Sequence, residues 1–173
     1  MGEVGPAWDD PSVLRLPVPF ERVYEDEYDD CARLAYVLSG SWPLAERVTR
    51  HAFAAVRSDW QRVGRLDEPA NRIRREVAQH ARPAHGRLAH LGCGHARTTK
   101  AEPDPTDGDD FWAVVRELPR RQAQAVAIYY LASSSTQALA AVLGVTHGTA
   151  HAHVEAGRQT LGRQLGLDLE EAQ

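Results

Sequence analysis

The span from Thr136 to Leu161 leaves this chain the least conformational freedom. Leu139, Ala140, Leu143, Val145, Ala150, Val154 and Leu161 recur at helical spacing, so the span reads as two helices that each bury one face. Gly144 stands where a chain enters the left-handed region to end a helix, and Thr146 is a hydroxyl N-cap for the next. Ala140 is small where two crossing helices come close. The spacing predicts helices over 136–143 and from 147 to about 165, joined by Gly144-Val145-Thr146. An αα-hairpin in any bundle would use the same turn and cap. A DNA-reading helix-turn-helix uses them to present the start of its second helix, here His147, Gly148, Thr149, His151 and His153, to base edges.

The rest of the chain is helical as well. Phe20, Val23, Tyr24, Tyr28, Cys31, Leu34, Ala35 and Leu38 share one face until Ser39-Gly40-Ser41 stops the run. Pro43 opens a second helix whose apolar face carries Leu44, Val48, Ala52, Phe53, Val56 and Trp60. A third, with Ile73 and Val77 inside and Arg72, Arg74, Arg75 and Arg82 around it, follows Pro69 and stops near Pro83. After the polar run Arg97 to Asp110, an aspartate caps a helix bearing Phe111, Val114, Val115 and Leu118, and Gln122 to Leu131 forms a buried one. No strand signal appears, so the fold class is all-α. The expected organisation is an acidic leader (1–18), a helical domain (19–95), a flexible linker (96–109), a helix-turn-helix domain (110–167) and a tail (168–173).

Charge follows this division. Residues 1–30 carry nine acids and two arginines, whereas residues 31–100 carry thirteen bases and five acids. The formal net charge of -4 therefore hides a basic segment able to meet phosphates, and an acidic one able to lie elsewhere. All but one of the basic residues are arginines, whose planar forks suit phosphate and carboxylate. Two cysteines without paired spacing fit a reducing compartment, and no apolar run is long enough for a membrane span. A cytoplasmic location follows as the expectation. No nucleophile elbow, phosphate loop or catalytic carboxylate pair is visible, so neither enzymatic activity nor a cofactor is expected. His80, His85, His90, Cys93 and His95 fall within sixteen residues, but their spacing matches no standard zinc site. His85, His90, Cys93 and His95 are thus weak metal candidates only.

Leu143-Gly144-Val145-Thr146-His147-Gly148-Thr149-Ala150, preceded by Leu118-Pro119-Arg120-Arg121-Gln122 and the run to Tyr130-Leu131, resembles the C-terminal promoter-binding region of extracytoplasmic-function sigma factors. In the N-terminal half, Phe20, Tyr24, Tyr28, Leu34, Ala35 and Leu38, then Ser39-Gly40-Ser41, Ala45-Glu46, Ala52-Phe53 and Val56, are similar to the helices by which such factors grip core RNA polymerase. The resemblance implies a polymerase contact through Glu46, Arg47, Arg50, His51 and Phe53. It implies contact with the melted promoter element through Arg72, Arg74, Arg75, Gln79 and Arg82. Contact with the upstream element would fall to His147, Thr149, His151, His153 and Arg158. Core polymerase and promoter DNA are the implied partners, with an anti-sigma protein as the implied control.

The working surface departs from the family pattern. Arg47, Arg50 and His51 replace acidic or amide residues, which reverses the charge offered to a partner. Arg72 and Gln79 stand where a tryptophan and an asparagine are usual, so an aromatic stacking surface is lost. His151 and Ala156 replace two cations of the recognition helix, removing phosphate contacts. Two readings follow: an alternative sigma factor that directs polymerase to promoters, or a sigma-like protein that binds a protein partner without promoter recognition.

Overall fold

The computed structural model describes residues 16–83, 109–132 and 135–166. These form eight helices and, among the described residues, no strand: α1 (Phe20–Ser39), α2 (Trp42–Arg57), α3 (Trp60–Val63), α4 (Pro69–His80), α5 (Asp109–Glu117), α6 (Arg120–Leu131), α7 (Thr136–Leu143) and α8 (His147–Leu165). The chain is all-α. Of the expected non-domain segments, the leader is described only from residue 16, the linker only at Asp109, and the tail not at all.

Local sequence accounts for most helix ends. Gly40 closes α1 with φ 71°, and its N–H donates to the Tyr36 carbonyl. Prolines open the first turns of α2 and α4, where a missing N–H costs nothing. The second helix is shorter than its apolar pattern suggests. It ends at Arg57, and Trp60 begins the single turn α3 instead of extending the same face. Trp60 Nε1 donates to the Val18 carbonyl at 2.6 Å, and Val18 N–H donates to the Gly64 carbonyl at 2.9 Å. This strap lays the segment before α1 across α3, and the buried tryptophan finds its hydrogen-bond partner there.

Helices α1, α2 and α4 form one bundle, and α5 to α8 wrap around α6 in a second group. The two groups pack against each other, α1 against α5 and α6, and α4 against α7. One apolar core runs through both: Leu34, Phe53, Ile73 and Val77 belong to the same cluster as Ile128, Leu139 and Val142. A smaller cluster of Val115, Leu118, Ala123, Val126 and Leu161 closes the far side of the second group. Cys31 lies inside at 1% exposure, and burial, then the nearby Glu27, pushes its thiol up to about 12. It therefore packs as a small apolar residue.

Polar bonds cross the same boundary, and most end on the C-terminal carbonyls of helices. Arg116 Nη1 donates to Val37 O of α1 at 3.2 Å, Arg120 Nη2 to Gln79 O of α4 at 2.6 Å, and Arg75 Nε to Val142 O of α7 at 3.1 Å. Gln124 Nε2 donates to Ala78 O, beside the Arg120 contact. The last four carbonyls of any helix lack intrahelical donors, and their end of the dipole attracts cations.

Tight packing of α6 on α8 rests on Gly157, where a Cβ would stand 2.6 Å from Val126 Cγ2. Gly148, on the same helix, has nothing within 4 Å of that position. Gly157→Ala should therefore lower stability by about 1–3 kcal/mol through overpacking. Gly148→Ala should change it by at most about 1 kcal/mol, in the stabilising direction. Urea midpoints at unchanged m-value measure both.

Candidate nucleic-acid interface

Helices α7 and α8 meet as the sequence pattern predicts, each with its own N-cap. Ser135 Oγ accepts from Gln137 N–H at 3.2 Å, and Thr146 Oγ1 accepts from Thr149 N–H at 3.3 Å. Between them Gly144 takes φ 68° and ψ 40°, and the N–H groups of Gly144 and Val145 both reach the Ala140 carbonyl, at 2.8 and 3.1 Å. Leu139, Ala150 and Val154 are buried, which turns the opposite face of α8 outward. His147 and His151 stand on that face one turn apart, both exposed. No acid occupies the first turn of α8, so the positive end of the helix dipole faces the same side. Neutral imidazole can hydrogen-bond a base edge there, and protonated imidazole a phosphate.

The other upstream-element candidates are placed differently. Thr149 Oγ1 lies 2.9 Å from Thr146 Oγ1, so its hydroxyl serves the cap. His153 is half-buried. Arg158, half-buried two turns farther along, sits 3.5 Å from Glu155. His147 and His151 therefore form the free edge of this face.

The basic face of α4 is largely spent inside the molecule. Arg72 Nη1 pairs with Glu76 Oε1 at 2.7 Å, and Arg74 Nη2 with Glu27 Oε2 at 2.7 Å. Arg75 binds the end of α7 and lies so close over Gly144 that a Cβ there would stand 2.2 Å from its Nη2. Gln79 is exposed but lends its carbonyl to Arg120, and Arg82 alone among these arginines is exposed without a partner among the described residues. Two buried or half-buried acids explain the difference from a solvated stripe. Glu76 follows Arg72 by four residues, a spacing visible in sequence, whereas Glu27 is 47 residues from Arg74.

On α2, Glu46, Arg47, Arg50 and His51 lie along the outer surface, with Glu46 and Arg50 3.9 Å apart. Phe53 does not share that surface. It is 2% exposed and packs with Phe20, Tyr24 and Tyr28, so it supports the helix from beneath. His51 turns back toward His80 of α4, their ring centroids 5.0 Å apart, and His80 Nδ1 lies 3.7 Å from Glu76. Among the described residues no three potential metal ligands converge. His85, His90, Cys93 and His95 lie outside the described residues. No described helix is long and apolar enough to cross a membrane.

If Arg75 is a clamp, Arg75→Met should cost about 1.5–3 kcal/mol in urea unfolding, because it strips a charged donor from a helix-end carbonyl. Arg65→Met, at an exposed position, should stay within about 0.5 kcal/mol of wild type. Equal effects would return Arg75 to the solvated surface.

No family model matches this chain, and no curated protein is significantly similar to it.

Proposed function

We propose that this chain is an alternative sigma factor of the extracytoplasmic-function type, a binding protein rather than an enzyme. In this reading α2 engages core RNA polymerase and α8 enters the major groove of an upstream promoter element. The observation that carries the reading is the exposed first turn of α8, held by the Thr146 cap and the left-handed Gly144 and packed on the buried α6. The helix order supports it too, with a bundle of α1, α2 and α4 preceding the helix-turn-helix. His147 and His151 would read bases, while Arg47, Arg50 and His51 would meet a polymerase surface of matching charge. Arg82, two residues past the end of α4, is the arginine of this group best placed to reach phosphate.

One observation favours the second reading, a sigma-like regulator that binds a protein partner. Arg72, Arg74 and Arg75 are already bound within the molecule, and α4 is partly covered by α7. Using α4 on a melted promoter would require these contacts to be given up.

Co-purification of the tagged full chain from its own host, at low and moderate salt, separates the two. Stoichiometric core polymerase is the expected result. Retention of another protein in its place overturns the first reading in favour of the second. With polymerase bound, His147→Ala or His151→Ala should weaken discrimination between promoter and random duplex by about 1–3 kcal/mol each, read by competition binding.

A further inference from the structure

Where the end of α4 meets the start of α6, a groove of about 600 Å³ is lined by Gln79, His80, Arg82, Arg120, Arg121 and Gln124. Its volume is that of an ordinary small-molecule site. No carboxylate lines it, and among the described residues none stands within 4.0 Å of Arg82, Arg120 or Arg121. Partial burial, then the charges of Arg82 and Arg121, pull the Arg120 guanidinium below its usual value. Like charges have thus been gathered across the junction of the two helix groups with no carboxylate among them, and only Arg120 has a partner, the Gln79 carbonyl at the end of α4. The first turn of α6 adds the positive end of a twelve-residue helix.

A second observation points to what would lie there. Gln124 is 3% exposed, and its Nε2 is committed to the Ala78 carbonyl, which fixes the orientation of the amide. Its Oε1 is buried and has no hydrogen-bond partner. A buried acceptor at the wall of a cationic groove calls for a ligand that brings a donor as well as negative charge. Inorganic phosphate supplies chiefly the charge. A nucleotide supplies both, through its phosphates and its ribose hydroxyls or base amino group.

We propose that this groove is a binding site for a free nucleotide, whose phosphates bridge Arg82 at the end of α4 and Arg120 and Arg121 at the start of α6, and whose hydroxyl or amino group donates to Gln124 Oε1. The ligand would neutralise the charge at the junction and tie the two helix groups together. The site stands apart from the exposed face of α8 and does not depend on the sigma-factor reading, because it is tested without DNA or polymerase.

The test is isothermal titration calorimetry on the full chain with ADP, GDP and inorganic pyrophosphate, followed by competition with a duplex oligonucleotide. At least one of ADP and GDP should bind saturably and more tightly than pyrophosphate. Arg82→Gln with Arg121→Gln should weaken that binding about tenfold or more, while Arg65→Gln, an exposed charge elsewhere, leaves it unchanged. Far-UV circular dichroism confirms that the double variant is folded, and since neither side chain holds a described intramolecular partner, it should be. The proposal is overturned if neither nucleotide binds, or if pyrophosphate binds as tightly as the better nucleotide. It also fails if Arg65→Gln weakens binding as much as the double variant does. Displacement of the nucleotide by duplex DNA through the same two arginines would assign the cluster to the DNA backbone instead.

Discussion

The carbonyls at the ends of α1, α4 and α7 depend on arginines from the opposite helix group. Arg116 reaches α1, Arg120 reaches α4 and Arg75 reaches α7. A helix end packed against another layer cannot turn its last carbonyls to water, and a carbonyl left bare there costs about 1–3 kcal/mol. Glycine takes part of this work where the chain turns sharply, as at Gly40 and Gly144, but a capping N–H satisfies only one carbonyl each time. The guanidinium, long and always charged, satisfies a second and complements the dipole. Each half therefore completes the other's helices, and the shared apolar core around Leu34, Ile73, Ile128 and Leu139 is sealed at its rim by those bonds.

This arrangement sets which surfaces stay free. The clamps draw in the arginines of α4, while α8 is held by its opposite face. Ala150, Val154, Gly157 and Leu161 are buried, and the close approach to Val126 at Gly157 leaves little room for α8 to roll on α6. The exposed turn at His147 and His151 is thus presented on a closely packed support, which the proposed reading role would require. The surface that looks most suited to phosphate in the sequence is the one the fold uses up.

Much of the fold was legible because local chemistry determined it. The helix at 136–143, the Gly144 turn, the Thr146 cap and the start of α8 all follow from residues within a few positions of one another. The end of α2 was not legible, since Trp60 continues the apolar spacing and only its bond to the Val18 carbonyl, 42 residues away, shows that it belongs to a new turn. The same limit applies to the site. An arginine in sequence carries no mark of whether it will meet solvent, Glu27 or the end of α7. Phe53 shows the opposite case, for its spacing with Val48, Ala52 and Val56 already puts it on the buried face of α2, away from Glu46, Arg47, Arg50 and His51, with which the resemblance grouped it.

The sign of each arginine's contribution thus depends on context more than on type. An arginine bound to a helix end is worth its contact in the closed molecule and must release it before it can hold a phosphate outside. Three such clamps, at about 1.5–3 kcal/mol each for a charged hydrogen bond, set a threshold that a partner's binding energy has to exceed before the two helix groups separate, and the Arg75 clamp alone holds α4 to α7. A duplex touching only α8 makes no demand on that threshold. A partner needing Arg75 does, so the fold favours contacts through α8 and through the outer face of α2 over contacts through α4. The excess charge of Arg82, Arg120 and Arg121 works against the clamps, since like charges at the seam push the two groups apart. An anion seated between them would remove that repulsion and raise the threshold further, making the strength of the closed state a function of what occupies the seam.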